Sequence, residues 1–470
     1  MKVSPTAPKL SRLRIPLLLL ALALTFANAA ADLSAAQNPT IAPSPASAPT
    51  EPPSASGSQE GAASSESQAA LPLEPKIRNH IKEIRSFCVI LDGTAYVTSL
   101  RRIDKLGTTR AFLQAFSPDG QPKWELQLSA ANLNLVRAPD GALYSYSHES
   151  ITAVSPEGQI KWEVKFPSRI SGDPVFGPAG MTYVGTKDNL LSAVTPQGEI
   201  KWKIDLRDNV TPPSVNRDGT IYAYSGERFC AVSPEGQLKW QLDKFEGDKY
   251  DPIFSREGTI YLRAGERLHA VSPQGELKWS VEFERSKYFL RIGPDLNFYV
   301  ASGRYLWAVT PQGKVNWKID LGKEVNSEAI GLDGTIYAAA GPQLFAVSPK
   351  GEIQWQIDLK KDRLSARVSP DGTIYVTPGK RLCAITPEGK IKWSLEADSI
   401  AFAPFIREDG TVYLGSGNFL RAVTADGQIK WKIDLHGWVA GVNFGPGGTL
   451  YVMQTFKLRH LDLYVIQDED

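Results

Sequence analysis

Between residues 212 and 242, apolar and polar positions alternate in short bursts separated by turn residues. Leu238-Lys239-Trp240-Gln241-Leu242 alternates strictly, which is the period of a strand with one buried face. Thr220–Tyr224 is β-branched and aromatic and follows Asp218-Gly219, a hairpin-turn pair. Ser214–Asn216 is a short extended piece ahead of that turn, and Arg228–Ser233 reads as a further strand closed by Pro234-Glu235-Gly236. The pattern predicts four short antiparallel strands, with no apolar spacing of 3.6 residues long enough to make a helix.

The same unit recurs along most of the chain. Trp124, Trp162, Trp202, Trp240, Trp279, Trp317, Trp355, Trp393 and Trp431 follow one another at intervals of 38 to 40 residues, each with Gly four positions and Ala nine positions before it. A second marker interleaves, a turn pair followed by Tyr at 96, 144, 183, 222, 261, 299, 337, 375, 413 and 451. Four strands in about 38 residues, repeated without interruption, predict the blades of a β-propeller. The fold class expected is therefore all-β, a single propeller over residues 76–470. An indole is the largest side chain available for packing, so the nine Trp are expected to be structural, with Ala making room for the ring and Gly allowing the tight turn.

Ten units carry the first three strands but only nine carry the Trp strand. Lys76–Arg85, just ahead of the first unit, is placed to supply the missing outer strand and close a ring of ten blades. Eight blades with flanking strands, or two smaller rings, are the alternatives. One inter-strand loop is longer than the rest, because Ser99–Arg110 adds about ten residues, including Arg101, Arg102, Lys105 and Arg110.

The N-terminus departs from this pattern. Lys2, Lys9, Arg12 and Arg14 precede an apolar run, Ile15–Phe26, and then Ala27-Asn28-Ala29-Ala30-Ala31. This reads as a secretory signal peptide over residues 1–31, cut after Ala29 or Ala31, too short to span a bilayer comfortably. No Cys follows it as a lipid-attachment site. Residues 32–75 read as a disordered linker: of positions 34–75, 27 are Ala, Ser or Pro and none is aromatic or basic. Loss of the leader's four basic residues from 52 leaves 48 against 51 acidic, a mature charge of about −3. That balance offers no general attraction to nucleic acid or anionic membrane, and no second apolar stretch is long enough to cross a membrane. The expected location is the periplasm, the cell surface or the medium, and the expected state is a monomer.

The Ala, Gly and Trp spacing resembles the tryptophan-docking motif of the quinoprotein-like propeller family, or PQQ-like repeats, over roughly residues 81–466. Two departures mark the chain as divergent. Its turn is one residue shorter, and the third position is Ser or Thr where the family motif has Asp. The resemblance implies, for the family's dehydrogenases, an adjacent cysteine pair, calcium-binding carboxylates and an Asp base. Here Cys88, Cys230 and Cys383 stand about 150 residues apart. His80, His148, His269, His436 and His460 show no metal-ligand spacing, and no nucleophile-elbow, P-loop or dinucleotide fingerprint is present. No catalytic residue, metal ligand or cofactor is therefore expected. The alternative is a quinone-dependent oxidoreductase using PQQ and Ca2+.

The favoured reading is an exported, non-catalytic scaffold that binds an envelope or extracellular protein or glycan. A third is a stalk-and-head protein with no small ligand. Positions that break the repeat are where function is sought. The loops from each Trp strand to the next innermost strand are the least repetitive segments. They hold Lys249-Tyr250, Arg285, Tyr288-Phe289, Arg363, Phe402 and His436-Gly437-Trp438. Five residues before the Gly of the first turn most units hold an apolar or small residue, but the sixth and eighth hold Arg291 and Arg367. Tyr250, Arg285, Tyr288, Phe289, Arg291, Arg367, Phe402, His436 and Trp438 are thus the candidate partner-binding residues. The competing reading has the aromatics plugging the channel end and the arginines paired with Glu284, Glu328 or Asp362.

Overall fold

In a computed structural model, residues 75–468 are described, apart from 91, 104–107, 130–133, 286–287, 363 and 457–459. They belong to a compact unit that begins at Leu73. The expected signal peptide and nearly all of the expected linker lie outside the described residues.

Strands follow the predicted pattern closely. In the unit read first, they are Ser214–Val215, Ile221–Ser225, Arg228–Val232 and Leu238–Leu242, hydrogen-bonded in that order. Eight separate four-stranded antiparallel sheets are built this way, from Asn134 to Asp434. A ninth sheet has seven strands and is two blades sharing one long strand, Lys76–Val89. Its first half pairs with His460–Gln467 of the last unit and its second half with Ala95–Arg102 of the first. A register shift between Ile81 and Ile84, with Glu83 at φ 56°, separates the halves. The blades are numbered 1 to 10 in chain order, blade 10 being completed by Lys76–Ile84. The fold is the all-β propeller expected from the repeat.

The core is divided among the blade interfaces. Tyr299 and Ala301 of blade 6 pack on Ile336, Ala338 and Ala340 of blade 7, and Tyr337 and Ala339 of blade 7 pack on Ile374 and Val376 of blade 8. Cys230 and Cys383 lie buried in such interfaces, and Cys88 packs partly buried in another. Burial pushes the Cys88 thiol up to about 12 and the Cys230 thiol up to about 11, so neither is held as thiolate.

Each Trp docks on the next blade. Trp317 Nε1 donates to Pro349 O at 2.9 Å, and the Gly351 turn, at φ +87°, lies against the indole face, where a Cβ would come within 2.6 Å of Cγ. The same bond runs from Trp124 to Pro156, Trp162 to Pro196, Trp202 to Pro234, Trp240 to Pro273, Trp279 to Pro311, Trp355 to Pro387 and Trp393 to Ala425. Of the nine, only Trp431 is fully buried, at 2% exposure. The other eight sit on outer strands at the rim, covered on one side by the neighbouring turn and wet on the other.

At the closing joint, Asn79 occupies the Trp position. It pairs with Val465, the register of Ala with Trp elsewhere, and its Nδ2 donates to Gly120 O at 2.5 Å. Tyr451 of blade 10 donates its hydroxyl to Gly93 O of blade 1. Every step around the ring, including the last, therefore carries a docking contact.

Candidate binding face and channel wall

Antiparallel pairing sends the loops from outer to inner strands and the hairpins between second and third strands to the same face. Gly303 of the blade 6 hairpin accordingly lies beside Arg285 of the loop entering that blade. The Ser99–Arg110 insertion lengthens the corresponding hairpin of blade 1, with Arg101 paired to Arg110 and Arg102 to Thr109. It shares this face with the candidate loops.

The candidate residues do not form one patch. Phe402 and Trp438 meet across blades 9 and 10 with ring centroids 6.1 Å apart and remain 41% and 54% exposed. His436, exposed and at φ 61°, precedes Trp438 on the connection into blade 10. Tyr250 enters blade 5, halfway round the ring, under the Arg263 guanidinium at 3.9 Å. It lines a cavity of about 230 Å3 with Thr211, Tyr224, Lys249 and Asp251. Burial raises the Asp251 carboxyl, and the charge of Asp173 adds to that. Arg285 pairs with Glu324 at 2.8 Å on the exposed edge of blades 6 and 7, and Phe289 is half-exposed nearby in sequence. The Tyr288 side chain and Arg363 lie outside the described residues.

Arg291 and Arg367 are not loop residues; they lie on the innermost strands Tyr288–Ile292 and Ala366–Val368. Arg291 Nε stands 3.4 Å from Glu328 Oε1, as the competing reading expected. Glu328 sits on the innermost strand of blade 7, Val325–Ile330, opposite Ala338. It is only 4% exposed, and neither carboxylate oxygen accepts a hydrogen bond. Burial pushes its carboxyl up to about 7, although the guanidiniums of Arg291, Arg263 and Arg367 all pull the other way. Burial and the Arg291 charge lower Arg367. Glu328 was expected only as one of three alternative partners of the arginines, not as a buried carboxyl among three of them. The signal was present, however. The matching positions in the other nine units are Phe87, Leu135, Pro174, Pro213, Pro252, Leu290, Ala366, Pro404 and Val442, so Glu328 is the one charge at an apolar register.

Comparison with known proteins places the fold. A family described as outer membrane protein assembly factor BamB, of the PQQ-like repeat type, matches residues 147–289 and 342–440, just over half of the chain. The chain belongs to this family. Solved structures with a similar course include BamB from Moraxella catarrhalis, 15% identical over 71% of this chain and 94% of that one, TM-score 0.37. A eukaryotic initiation factor is 12% identical over 69% and 94%, TM-score 0.47. A quinohemoprotein alcohol dehydrogenase, ADHIIG from Pseudomonas putida HK5, is 12% identical over 70% and 72%, TM-score 0.41. No curated protein matches. Residues 290–341, which hold Arg291 and Glu328, fall between the two matched spans of the family.

The three thiols lie in blades 1, 4 and 8, and among the described residues no group of three or more His, Cys, Asp and Glu is suited to hold a metal ion. No helix among them is long and apolar enough to cross a membrane.

Proposed function

We propose that the chain is an exported, non-catalytic propeller scaffold of the cell envelope that docks a protein partner on the face where Phe402 and Trp438 emerge. The exposed aromatic pair carries this reading. Two large rings in contact, one more than half exposed, fill no interior space, and aromatic anchors are characteristic of interaction hot spots. The family description, an assembly factor for outer membrane proteins, supports an envelope protein as the partner. The leader-like N-terminal sequence supports export. The same ring pair favours a second reading, a glycan stacked on Trp438.

A photo-crosslinking phenylalanine analogue placed at Phe402 or Trp438 in exporting cells should yield a discrete protein adduct. The analogue at Leu332, which is 81% exposed on a first-turn loop of the opposite face, should not. Retention on an envelope glycan that is lost in Trp438→Ala, with no protein adduct, would establish the second reading. Equal labelling from both faces, or neither adduct nor glycan retention, would refute docking here.

A further inference from the structure

The arginine and glutamate cluster of blades 5 to 8 is a deviation from the repeat that neither the fold nor the aromatic pair uses. A buried carboxylate with no hydrogen bond is a costly group, and packing gives no reason for one at a register filled elsewhere by Leu, Pro, Val, Ala or Phe. The guanidiniums of Arg291, Arg263 and Arg367, from three blades, all act on it. Arg291 spends only its Nε on Glu328, and its side chain is 52% exposed. Arg367 is further held by a 3.3 Å bond from Nη1 to Ala366 O. Guanidinium groups present a planar fork matched to a carboxylate.

We propose that Arg291 and Arg367 form a carboxylate-binding site in the channel wall, for an acidic side chain of the docked protein partner, with Glu328 as the internal counter-ion that takes up a proton when the acidic group arrives. The source of the carboxylate rests on the docking reading. The ion exchange does not. With the site free, Glu328 partly neutralises the arginines. An incoming carboxylate competes for them and repels the buried negative charge, and a proton from solvent removes that repulsion. Glu328 is poised for this, because its carboxyl already titrates at about 7. The charged groups acting on it are Arg291 from blade 6, Arg263 from blade 5 and Arg367 from blade 8. Binding is therefore tightest below neutrality and weakens as pH rises through the free-state value. His269 of blade 5 stays neutral across that range, since burial lowers it to about 4.

Calorimetric titration of the folded protein with a short acetylated oligoglutamate tests this. Affinity should rise as pH falls from about 8 to about 6, by up to ~10-fold per pH unit for one linked proton. Glu328→Gln should flatten that dependence and leave affinity near the wild-type value at low pH. Arg367→Gln should weaken binding at least ~10-fold, as should Arg291→Ala in the Glu328→Gln background, where no buried charge is left unpaired. The proposal is overturned if the pH dependence persists in Glu328→Gln, which would assign it to another group. Wild-type affinity in the arginine variants overturns it too, as does inorganic phosphate competing as well as the peptide. Such a failure leaves the crosslinking result at Phe402 untouched. Conversely, peptide binding with no adduct at Phe402 would separate this site from the aromatic face.

Discussion

Removal of one docking indole measures how the blades are held together. In Trp317→Ala, a ring is lost that lies on the Gly351 turn, faces Tyr299 at a centroid distance of 5.9 Å, and bonds to Pro349 O at 2.9 Å. Full burial of an indole removes up to ~250 Å2 from water, or about 6 kcal/mol at ~25 cal/mol per Å2. Trp317 is covered on one side only, so about half of that applies, roughly 3 kcal/mol. The lost hydrogen bond adds about 1 kcal/mol, because the orphaned carbonyl lies near solvent and recovers a water. The total, about 3–4 kcal/mol, falls in the usual range for large-to-small changes at packed sites. Urea unfolding followed by circular dichroism reads it directly as a shift in midpoint. Trp317→Phe keeps a ring but not the N–H and should cost about 1–2 kcal/mol. An unchanged midpoint in Trp317→Ala would refute the docking argument. It would mean that the blades are held by the Tyr, Ala and Val interface alone.

Two further outcomes are expected of the fold. Asn79→Trp should raise the melting temperature by a few degrees, because it supplies at the closing joint the indole that the other nine joints have, with Pro118 O as its acceptor. A lower melting temperature would show that Asn79 is specifically required there. His269 lies buried against Phe245 at 5.0 Å, and burial lowers its imidazole from 6.5 to about 4. The unfolded chain therefore binds the proton first, so about 2–3 kcal/mol of stability present above pH ~6.5 is lost as pH falls towards about 4. His269→Phe should lessen that acid sensitivity in melts near pH 5, since Phe345 fills the same register two blades on.

Most of the architecture was legible in the sequence because the repeat presents each position nine or ten times. The strands read in residues 212–242 lie within two residues of those observed, since Asp-Gly turns and strict alternation mark both ends of a short strand. Ring closure by Lys76–Arg85 was legible as a missing outer strand, even though its alternation is poor. The structure explains the poor alternation, because one strand serves two blades and shifts register between Ile81 and Ile84. Half-burial of the Trp side chains was not legible. Periodicity tells which side of a strand faces inward, not whether a second layer covers it. Burial of Glu328 was hidden for a related reason: its cost depends on what blades 6 and 8 place around it, some 40 residues away in either direction.

The deviations divide by whether their polar atoms are satisfied. Asn79 departs from the Trp pattern, yet its amide bonds to Gly120 O and its carbonyl accepts from the His80 N–H. Asp468 stands where other blades offer a turn carbonyl, and it accepts from Trp431 Nε1 at 2.5 Å and from the Tyr413 hydroxyl, with Arg407 at 3.5 Å. Both are complete arrangements, and both lie at joints of blade 10, where the first and last strands of the ring pair. Their reason is structural. Glu328 departs as sharply but is left with two unbonded oxygens beside a half-exposed arginine. Selection for stability alone would replace such a group with the leucine or valine of its sister blades, because an apolar side chain of similar size relieves the desolvation outright. An incomplete ionic cluster at a register that the sister blades fill with apolar residues therefore points outward, to a group that is supplied only when something binds.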